Sequence, residues 1–346
     1  MSLPERVAVI GAGSWGTALA MVLASNGIAT RLWGRDPKQM AALANGRVNT
    51  RYLADAHLEH GIAPTASLAD ALSETDGLVL AVPSAALVGV LKDVAAQLER
   101  AVPAIIAVKG LEPSSLRPWH DVAAELLGDR LDTPAVLSGP SFAREVAQGQ
   151  PTAVTMAAQS IERAHALAAW FHNDRFRVYA SDDVIGVELG GALKNVLAIA
   201  AGISDGLGFG ANARAALVTR GLAEITRLGV ALGARADTFV GLAGLGDLLL
   251  TCTDDQSRNR RFGLLIASGV SATQACQQIG QAVEGIRTTE VGRLLAQRAG
   301  IDAPIIGHVY AVLHEGLAPL AAVEALLNRP QRTESPPGTG QPTAQG

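Results

Sequence analysis

The glycine-rich turn near the amino terminus constrains the fold of this 346-residue chain more than any other feature. The apolar run Arg6 to Ile10 predicts a buried strand, Gly11-Ala12-Gly13-Ser14-Trp15-Gly16 follows it directly, and a helix-forming segment comes next. This order predicts a βα unit that binds a dinucleotide. Gly11 would allow the tight turn, Gly13 would let the backbone approach a pyrophosphate, and Gly16 would let helix pack on strand. The alternative is an empty structural turn in a glycine-rich chain.

The rest of the pattern divides the chain into three parts. Residues 1–182 alternate short apolar runs with helical segments, which predicts an α/β, Rossmann-like, mostly parallel sheet with covering helices. From Asp183 the strand signals stop, so residues 183–329 are predicted to form an all-helical domain. Residues 330–346 are rich in Pro, Gly, Gln, Thr and Ser, which predicts a disordered tail.

The predicted elements follow from the same pattern. The strands are Val7–Ile10, Thr30–Trp33, Gly77–Val82, Ala104–Val108 and Ala135–Leu137, with two further candidates at Pro151–Met156 and Phe176–Tyr179. The helices are Thr17–Asn26, Val184–Ser204, Ala211–Leu232, Arg258–Ser268, Ala272–Ile279, Glu284–Ala299 and Ile305–Glu315.

Composition excludes several classes of protein. A formal charge of −4 gives no basic footprint for nucleic acid, so an anionic ligand must be held by a few placed residues. Cys252 and Cys276 form neither a C-x-x-C pair nor a cluster with histidine, which argues against a disulfide framework or a metal site. The chain opens without a signal peptide pattern, and we expect no membrane-spanning segment, because its apolar runs are short or broken. These features favour a cytoplasmic protein with a small-molecule substrate.

A single lysine in an apolar helix is the strongest candidate for chemistry. The stretch Leu189 to Ser204 contains one charge, Lys194, and Asn195 follows it. Burial disfavours the charged form and lowers the pKa of a lysine, so a lysine kept there suggests work on a substrate. The alternative is a lysine that reaches solvent or pairs structurally.

Residues just after the predicted strands should face a ligand, because ligands of open α/β sheets bind at the carboxyl ends of the strands. These positions are Ser14, Gly34-Arg35, Pro83-Ser84, Lys109-Gly110 and Ser138-Gly139-Pro140-Ser141. Lys109 would place a cation where an anionic group lies, or else be an exposed loop lysine. Arg35 favours NADP over NAD, because arginine accommodates the 2′-phosphate, but Asp36 beside it would repel that phosphate if it pointed inward. Dual use stays open.

A phosphate-binding site is predicted in the helical part of the chain. Leu245-Gly246-Asp247 closes a glycine-rich turn, Thr251 lies four residues on, and Ser257-Arg258-Asn259-Arg260-Arg261 opens a helix. A helix start with guanidinium and hydroxyl donors suits a phosphate. The alternatives are a capped helix with solvated arginines, and an Asp247 that only forms the turn.

Several blocks together resemble the bacterial NAD(P)-dependent glycerol-3-phosphate dehydrogenases. They span about residues 5 to 315: Gly11–Thr17, Val108–Gly110, Ser138–Ala143, Gly191–Val196, Gly206–Gly210, Gly244–Asp247, Ser257–Arg260 and Val283–Gly285. The resemblance implies reversible reduction of dihydroxyacetone phosphate to sn-glycerol 3-phosphate, a precursor of glycerophospholipids. It also implies a Rossmann-like domain joined to a helical domain, with the active site in the cleft between them, and leads us to expect a homodimer.

The resemblance also implies residue roles. Lys194 matches the residue that exchanges the proton, with Asn195 and Thr251 as further substrate neighbours. The positions that match substrate contacts are Lys109, Gly139, Ser141, Lys194, Asp247, Ser257, Arg258 and Asn259. The positions that match cofactor contacts, with the glycines of the turn, are Gly11, Gly13, Ser14, Trp15, Gly16, Arg35, Lys109, Ala143, Arg258 and Glu284.

Two other functions remain open from the sequence. A related β-hydroxyacid dehydrogenase also joins a Rossmann domain to helices and can use a Lys-Asn pair. A protein that senses NADP without turnover would keep the glycine-rich turn but would have no use for Lys194, Asp247 and Arg258.

Overall fold

The computed structural model of the protein describes residues 3–330, and the predicted tail lies outside this range except for Pro330. The described chain has two parts, called here the sheet region, Arg6–Ser181, and the helical region, Val184–Leu327. This arrangement confirms the predicted fold class, a mostly parallel α/β sheet followed by helices.

Ten strands are present in residues 3–330, and eight of them form one sheet in the order β10-β9-β8-β7-β6-β1-β2-β5. The strands are β1 Arg6–Ile10, β2 Ala29–Trp33, β3 Val48–Asn49, β4 Leu53–His57, β5 Ile62–Thr65, β6 Gly77–Leu80, β7 Val102–Ile106, β8 Leu131–Ser138, β9 Thr152–Ala158 and β10 Phe176–Ser181. The two remaining strands, β3 and β4, form an antiparallel hairpin.

The centre of the sheet is buried on both faces. Val7, Ala8, Val9 and Ile10 of β1 are fully buried and pair in parallel with β2 on one side and β6 on the other. Near-continuous apolar strands of this kind need helices on both faces. Chain order reverses between β1 and β6, and a topological switch point of this type is where open α/β sheets bind ligands.

Helices cover the sheet. They are α1 Ser14–Ser25, α2 Pro37–Gly46, α3 Leu68–Leu72, α4 Ser84–Gln97, α5 Trp119–Leu127, α6 Ala143–Ala147 and α7 Ile161–Ala168. A 3₁₀ turn at Gly128–Arg130 follows α5. The parallel pairs and the helices between them position the carboxyl ends of β1, β2, β6 and β7 at one edge.

The helical region is built around one long buried helix. Its helices are α8 Val184–Gly206, α9 Ala211–Ala231, α10 Ala236–Phe239, α11 Asp247–Thr253, α12 Arg258–Ala267, α13 Ala272–Ile279, α14 Glu284–Ala299, α15 Pro304–His314 and α16 Pro319–Leu327, with a π-helical turn at Leu242–Gly246. Residues Gly186 to Ser204 of α8 are all buried. Glycines let α12 approach α8, because a Cβ at Gly202 would lie 2.1 Å from the carbonyl oxygen of Arg260.

Two helical stretches in residues 3–330 are long and apolar enough to cross a membrane by length and composition alone, Val184–Gly206 and Ala236–Thr253. The statement that the apolar runs of the chain are short or broken was therefore wrong for these two stretches. The most apolar window of the first is 83% buried in the fold, as expected of the central helix of a packed helical region.

Several predicted boundaries were wrong. The strand predicted at Ala104–Val108 lies two residues earlier, so Lys109 stands in a loop three residues beyond β7 rather than directly after a strand. The strand predicted at Ala135–Leu137 is the end of the longer β8. The strand β5, the β3–β4 hairpin and α16 had no prediction. The hairpin strands are too short and too unevenly buried to show the alternation on which strand prediction depends.

Candidate active site

A cleft of about 1530 Å³ opens at the carboxyl edge of the sheet, where the helical region faces it. Residues from the turns after β1, β2, β6 and β7 line one side, and residues from α8, α11, α12 and the start of α14 line the other. The cleft therefore coincides with the switch point of the sheet.

The glycine-rich turn has the geometry of a phosphate cradle. Gly11 has φ +126°, and a Cβ there would lie 2.7 Å from the carbonyl carbon of Ala81. A Cβ at Gly16 would lie 1.9 Å from the carbonyl oxygen of Gly11, so this position needs glycine for packing. A Cβ at Gly13 would meet no described atom within 4 Å, and no described side chain caps the start of α1. Free N–H groups and open space at a helix N-terminus fit a dinucleotide.

A buried ion-pair network joins the two regions at the base of the cleft. Lys194 Nζ donates to Asp247 Oδ1 at 2.7 Å, and Lys109 Nζ donates to Asp247 Oδ2 at 2.7 Å. The Lys194 and Asp247 side chains are 6% and 1% exposed, and Lys109 is 20% exposed. Lys194 therefore does not reach into bulk solvent, and Lys109 is not an exposed loop lysine.

The electrostatics of this network follow from burial and pairing. Burial lowers the pKa of Lys194 to about 8, although Asp247 opposes the shift. Burial alone would raise the pKa of Asp247, but the ammonium groups of Lys109 and Lys194 hold it below its usual range. Because burial outweighs the attraction of Asp247, the pKa of Lys194 lies within the range of ordinary buffers.

The remaining donor of Lys194 faces the cleft. An ammonium group has three N–H donors. Lys194 uses one on Asp247 and one on Thr251 Oγ1 at 2.5 Å, and the Thr251 hydroxyl donates to the Asp247 carbonyl at 2.6 Å. Lys194 lines the cleft, so its third N–H is available to a ligand.

Asp247 owes its position to the π-helical turn that precedes it. A Cβ at Gly244 would lie 2.1 Å from the carbonyl oxygen of Phe239, which explains the glycine there. The π-helical turn leads without a break into α11, of which Asp247 is the first residue. Asp247 is therefore a buried partner of two lysines and not a turn former, and the predicted loop is helical.

The start of α12 has the predicted donors. Ser257 caps the helix by accepting from the backbone N–H of Arg260 at 3.2 Å. Arg260 is buried and pairs with Asp205 at 2.7 Å, so it is not solvated. Arg258 lines the cleft, and within residues 3–330 its side chain makes no hydrogen bond or ion pair, although the charge of Glu284 acts on it. Its burial lowers its pKa, an unfavourable state that an anionic ligand would relieve.

Asn195 is oriented by a chain of amides. The backbone N–H of Gly285 donates to Asn259 Oδ1 at 2.9 Å, which leaves Asn259 Nδ2 to donate to Asn195 Oδ1 at 2.9 Å. With its oxygen engaged in this way, Asn195 presents N–H donors to the cleft that it lines.

Loops from the sheet region complete the site. Gly139 has φ +140°, and a Cβ there would lie 2.9 Å from the Cα of Val154. This conformation lets the Gly139 carbonyl accept from Lys109 Nζ and Ser141 Oγ, both at 2.9 Å. Ser141 and Ala143 line the cleft, whereas Gly139 contributes by holding the two side chains.

The cofactor end of the cleft contains residues that were predicted from the sequence and others that were not. Arg35 lines it and is exposed. Asp36 caps α2 by accepting at Oδ1 from the backbone N–H of Lys38 at 3.0 Å, which engages one of its two carboxylate oxygens. Arg51, which lines the cleft, was not among the predicted residues, and Ser84 does not line it but holds Glu284. Ser84 appeared among the strand-end positions but had no role, and Arg51 lies on the unpredicted β3–β4 hairpin.

Glu284 links the two regions beside the cleft. Its carboxylate accepts from the backbone N–H of Ser84 at 3.2 Å and from the Ser84 hydroxyl. Glu284 lies in the first turn of α14 and Ser84 in the first turn of α4, so one carboxylate lies near two helix N-termini, where the helix dipoles favour it.

The structure thus brings nearly all predicted site residues to one cleft. Seven lysines or arginines and three carboxylates line it among the described residues, although the whole chain has a formal charge of −4. Cys252 is a buried thiol whose pKa burial raises to about 12, which agrees with a packing role. No group of three or more His, Cys, Asp or Glu side chains suited to a metal occurs in residues 3–330.

Comparison with known proteins identifies the family. Sequence models of the N-terminal and C-terminal parts of NAD-dependent glycerol-3-phosphate dehydrogenase match residues 6–164 and 183–324. Glycerol-3-phosphate dehydrogenase (NAD(P)+) of Thioalkalivibrio sulfidiphilus is 56% identical over 96% of this chain and 100% of its own length. The chain belongs to the NAD-dependent glycerol-3-phosphate dehydrogenase family. The resemblance drawn from the sequence blocks is confirmed.

Other members and solved structures agree. The enzyme of the same name from Pseudoalteromonas translucida is 52% identical over 95% of this chain and 98% of its own length. The crystal structure of glycerol-3-phosphate dehydrogenase from Coxiella burnetii superposes with a TM-score of 0.90 at 45% identity, over 94% of this chain and 99% of that one. D-mandelate dehydrogenase, at 11% identity and a TM-score of 0.61 over 92% of this chain and 99% of that one, shares the fold alone.

Proposed function

We propose that this glycerol-3-phosphate dehydrogenase family member catalyses the reversible NAD(P)H-dependent reduction of dihydroxyacetone phosphate to sn-glycerol 3-phosphate. The observation that carries the proposal is the buried Lys194 ammonium, held by Asp247 and Thr251 with one donor left for the cleft. Asp247 and Thr251 account for two of the three donors of this buried ammonium, and a carbonyl substrate would account for the third.

Lys194 is the proton donor and acceptor in this proposal. A bound nicotinamide supplies the hydride that is transferred to the carbonyl carbon. Lys194 donates a hydrogen bond to the carbonyl oxygen, stabilises the negative charge that develops there, and gives it a proton to form the hydroxyl. In the reverse direction the neutral Lys194 amine accepts that proton, and a pKa of about 8 suits both tasks.

The other residues bind and orient. Arg258 and the capped start of α12 hold the substrate phosphate, with Ser257 and Asn259 beside them. Asn195 donates to a substrate oxygen, and Asp247 keeps Lys194 charged before the reaction. Lys109 pairs with the second oxygen of Asp247 and lies on the substrate side of the cleft, together with Gly139 and Ser141.

The cofactor residues surround the other end of the cleft. We assign the pyrophosphate to the turn Gly11–Gly16, including Ser14 and Trp15, and the adenosine to the end that holds Arg35. The set of cofactor residues also includes Ala143 and Glu284. Lys109 and Arg258 belong to it as well, at the border with the substrate. The open space at Gly13 and the uncapped start of α1 support this assignment.

We also propose a domain boundary at residues 182 and 183. The last strand ends at Ser181, α8 begins at Val184, and the C-terminal family match begins at residue 183. A cytoplasmic enzyme that supplies glycerophospholipid synthesis, acting as a homodimer, remains the expectation from the family.

One assay tests the function. The purified chain is mixed with NADPH or NADH, and absorbance at the nicotinamide band is followed after adding dihydroxyacetone phosphate or a panel of 3-oxo acids. We expect oxidation with dihydroxyacetone phosphate alone. Oxidation only with the oxo acids would favour a β-hydroxyacid dehydrogenase, and tight nucleotide binding without turnover would favour a sensor.

A further inference from the structure

Arg260 is a buried cation in the first turn of α12 that the proposed reaction leaves without a role. Its side chain is 11% exposed and, unlike its neighbours Arg258 and Asn259, it does not line the cleft. Nε and Nη2 both donate to Asp205 Oδ2, at 3.2 and 2.7 Å, and Nη1 donates to the carboxylate of Asp255. One planar guanidinium group therefore joins two carboxylates.

The two carboxylates belong to different elements. Asp205 lies in the last turn of α8, the helix that also carries Lys194, and its side chain is 9% exposed. Asp255 lies in the turn before α12, two residues before the cap Ser257, and it lines the cleft. Arg260 therefore attaches the segment that leads into the phosphate-binding site to the helix that carries the proton donor.

The backbone around Arg260 reinforces this attachment. The Arg260 N–H donates to Ser257 Oγ at 3.2 Å, which caps α12. Gly202 of α8 lies against the Arg260 carbonyl, where any side chain would overlap it. Backbone and side chain of Arg260 thus hold the start of α12 against α8, which fixes the spacing between Lys194 and Arg258.

Asp255 would weaken a phosphate-binding site if its charge were not compensated. Its side chain is 80% exposed and lines the cleft, close in sequence to Ser257 and Arg258, so its charge would repel an anionic ligand. The guanidinium group of Arg260 pairs with this carboxylate and opposes that repulsion.

We propose that Arg260 is a positioning residue that holds the start of α12 ready for a phosphate, by anchoring it to Asp205 and by compensating the charge of Asp255. The inference rests on the proposed function in that the start of α12 binds the substrate phosphate. Arg260 acts through Ser257 and Arg258 and does not touch the substrate. Its loss should therefore weaken phosphate binding more than it slows hydride or proton transfer.

Calorimetric titration of the intact chain with inorganic phosphate tests the proposal. The chain is first saturated with NADPH, which fills the glycine-rich turn and leaves the substrate end of the cleft free. Arg260→Met should raise the Kd for phosphate about tenfold, as expected for the loss of charge-assisted hydrogen bonds. The variant should fold, because Arg214 Nη1 still pairs with Asp205 Oδ2 at 2.9 Å. Arg260→Lys, which keeps the charge but has one nitrogen to serve both carboxylates, should give an intermediate Kd.

Steady-state kinetics separate positioning from a general structural role. With dihydroxyacetone phosphate, Arg260→Met should raise KM about tenfold and change kcat less than about threefold. A loss of stability alone would lower the amount of active enzyme, and so the apparent kcat, and leave KM unchanged. Arg214→Met removes the other arginine on Asp205, one that is 30% exposed, and should leave KM and the phosphate Kd within about twofold of their original values.

A double variant tests the part played by Asp255. Arg260→Met/Asp255→Asn should bind phosphate about threefold more tightly than Arg260→Met, because the uncompensated charge is gone. The proposal is overturned if Arg260→Met keeps the original Kd and KM, if Arg214→Met loses as much, or if the double variant binds phosphate no better than Arg260→Met. Phosphate binding needs no turnover, so a chain inactive on dihydroxyacetone phosphate would refute the proposed reaction and leave this comparison intact.

Discussion

The two walls of the cleft, one from the sheet region and one from the helical region, are preorganised for a ligand by different means. The sheet region uses backbone: Gly11 and Gly13 leave room and free N–H groups at the start of α1. The helical region uses side-chain charge: Lys194, Asp247 and Arg258 are held in low-exposure positions by packing. The sheet-region side of the cleft should therefore tolerate changes in charge but not in shape. The helical-region side should tolerate changes in shape but not in charge.

The largest expected effect is on the charged wall. Lys194→Ala should lower the rate of the chemical step by about 10²–10⁴-fold, the usual value of a placed proton donor. Nucleotide affinity should stay within about twofold, because the glycine-rich turn is untouched. Single-turnover oxidation of NADPH and equilibrium binding separate the two effects. If Lys194→Ala turned over at the rate of the unmodified enzyme, the charged side of the cleft would have no catalytic role.

Asp247→Asn tests the charged side of the cleft more sharply, because it removes a charge with little change in the shape of the side chain. Asp247 is the shared partner of Lys109 and Lys194, and breaking a buried ion pair costs about 3–5 kcal/mol. Urea unfolding should show most of this loss at pH 6.5 and less at pH 9, because a neutral Lys194 needs no counterion. An equal loss at both pH values would mean that the stabilising effect of Asp247 does not come from the charge of Lys194.

The backbone wall is tested by two alanine substitutions. Gly11→Ala should destabilise the fold, because the added Cβ would collide with Ala81 and φ is +126°. Gly13→Ala meets open space, so stability should hold while the Cβ blocks the nucleotide and weakens its binding about tenfold, a loss of about 1.4 kcal/mol. Thermal unfolding and nucleotide titration on both variants provide the check. Unchanged nucleotide affinity in Gly13→Ala would contradict the assignment of the pyrophosphate.

Ser257→Ala should have the smallest effect of the series. Loss of the cap of α12 costs about 1 kcal/mol, and Ser257→Asp, which can also cap, controls for the loss of the helix start. Ser257→Ala should raise KM for dihydroxyacetone phosphate with little change in kcat. Recovery of stability but not of KM in Ser257→Asp would separate capping from phosphate binding, because the added carboxylate repels the phosphate.

The two walls also differ in how far sequence could predict them. Gly11, Gly13 and Gly16 lie within six residues, and the local pattern was enough to predict both strand and turn. Lys194 and Asp247 lie 53 positions apart, and Lys109 and Asp247 lie 138 apart. An apolar helix revealed that Lys194 was unusual, but its partner depended on the packing of α11 against α8. The glycine-rich turn and the family resemblance both placed Asp247 in the predicted site, but neither indicated that it pairs with two lysines.

The hairpin marks the limit of sequence reasoning. Leu53–His57 has two consecutive exposed residues, so the alternation of a half-buried strand is absent. Its position depends on Asn49, whose partners Ala12 and Thr17 lie 37 and 32 residues away. Arg51 was missed for the same reason, since an exposed arginine in an unassigned loop gives no local signal of a binding role.

The pH dependence of kcat/KM tests the central claim most directly, because this ratio reports the free enzyme, in which the pKa of Lys194 is about 8. Reduction requires the ammonium, so its kcat/KM should be constant below about pH 8 and fall about tenfold per pH unit above it. Oxidation requires the amine, so its kcat/KM should rise with pH and level off above the same value. A deuterated nicotinamide cofactor shows that hydride transfer limits the rate. Profiles that stay flat in both directions through pH 8, with a full isotope effect, would contradict proton exchange by Lys194.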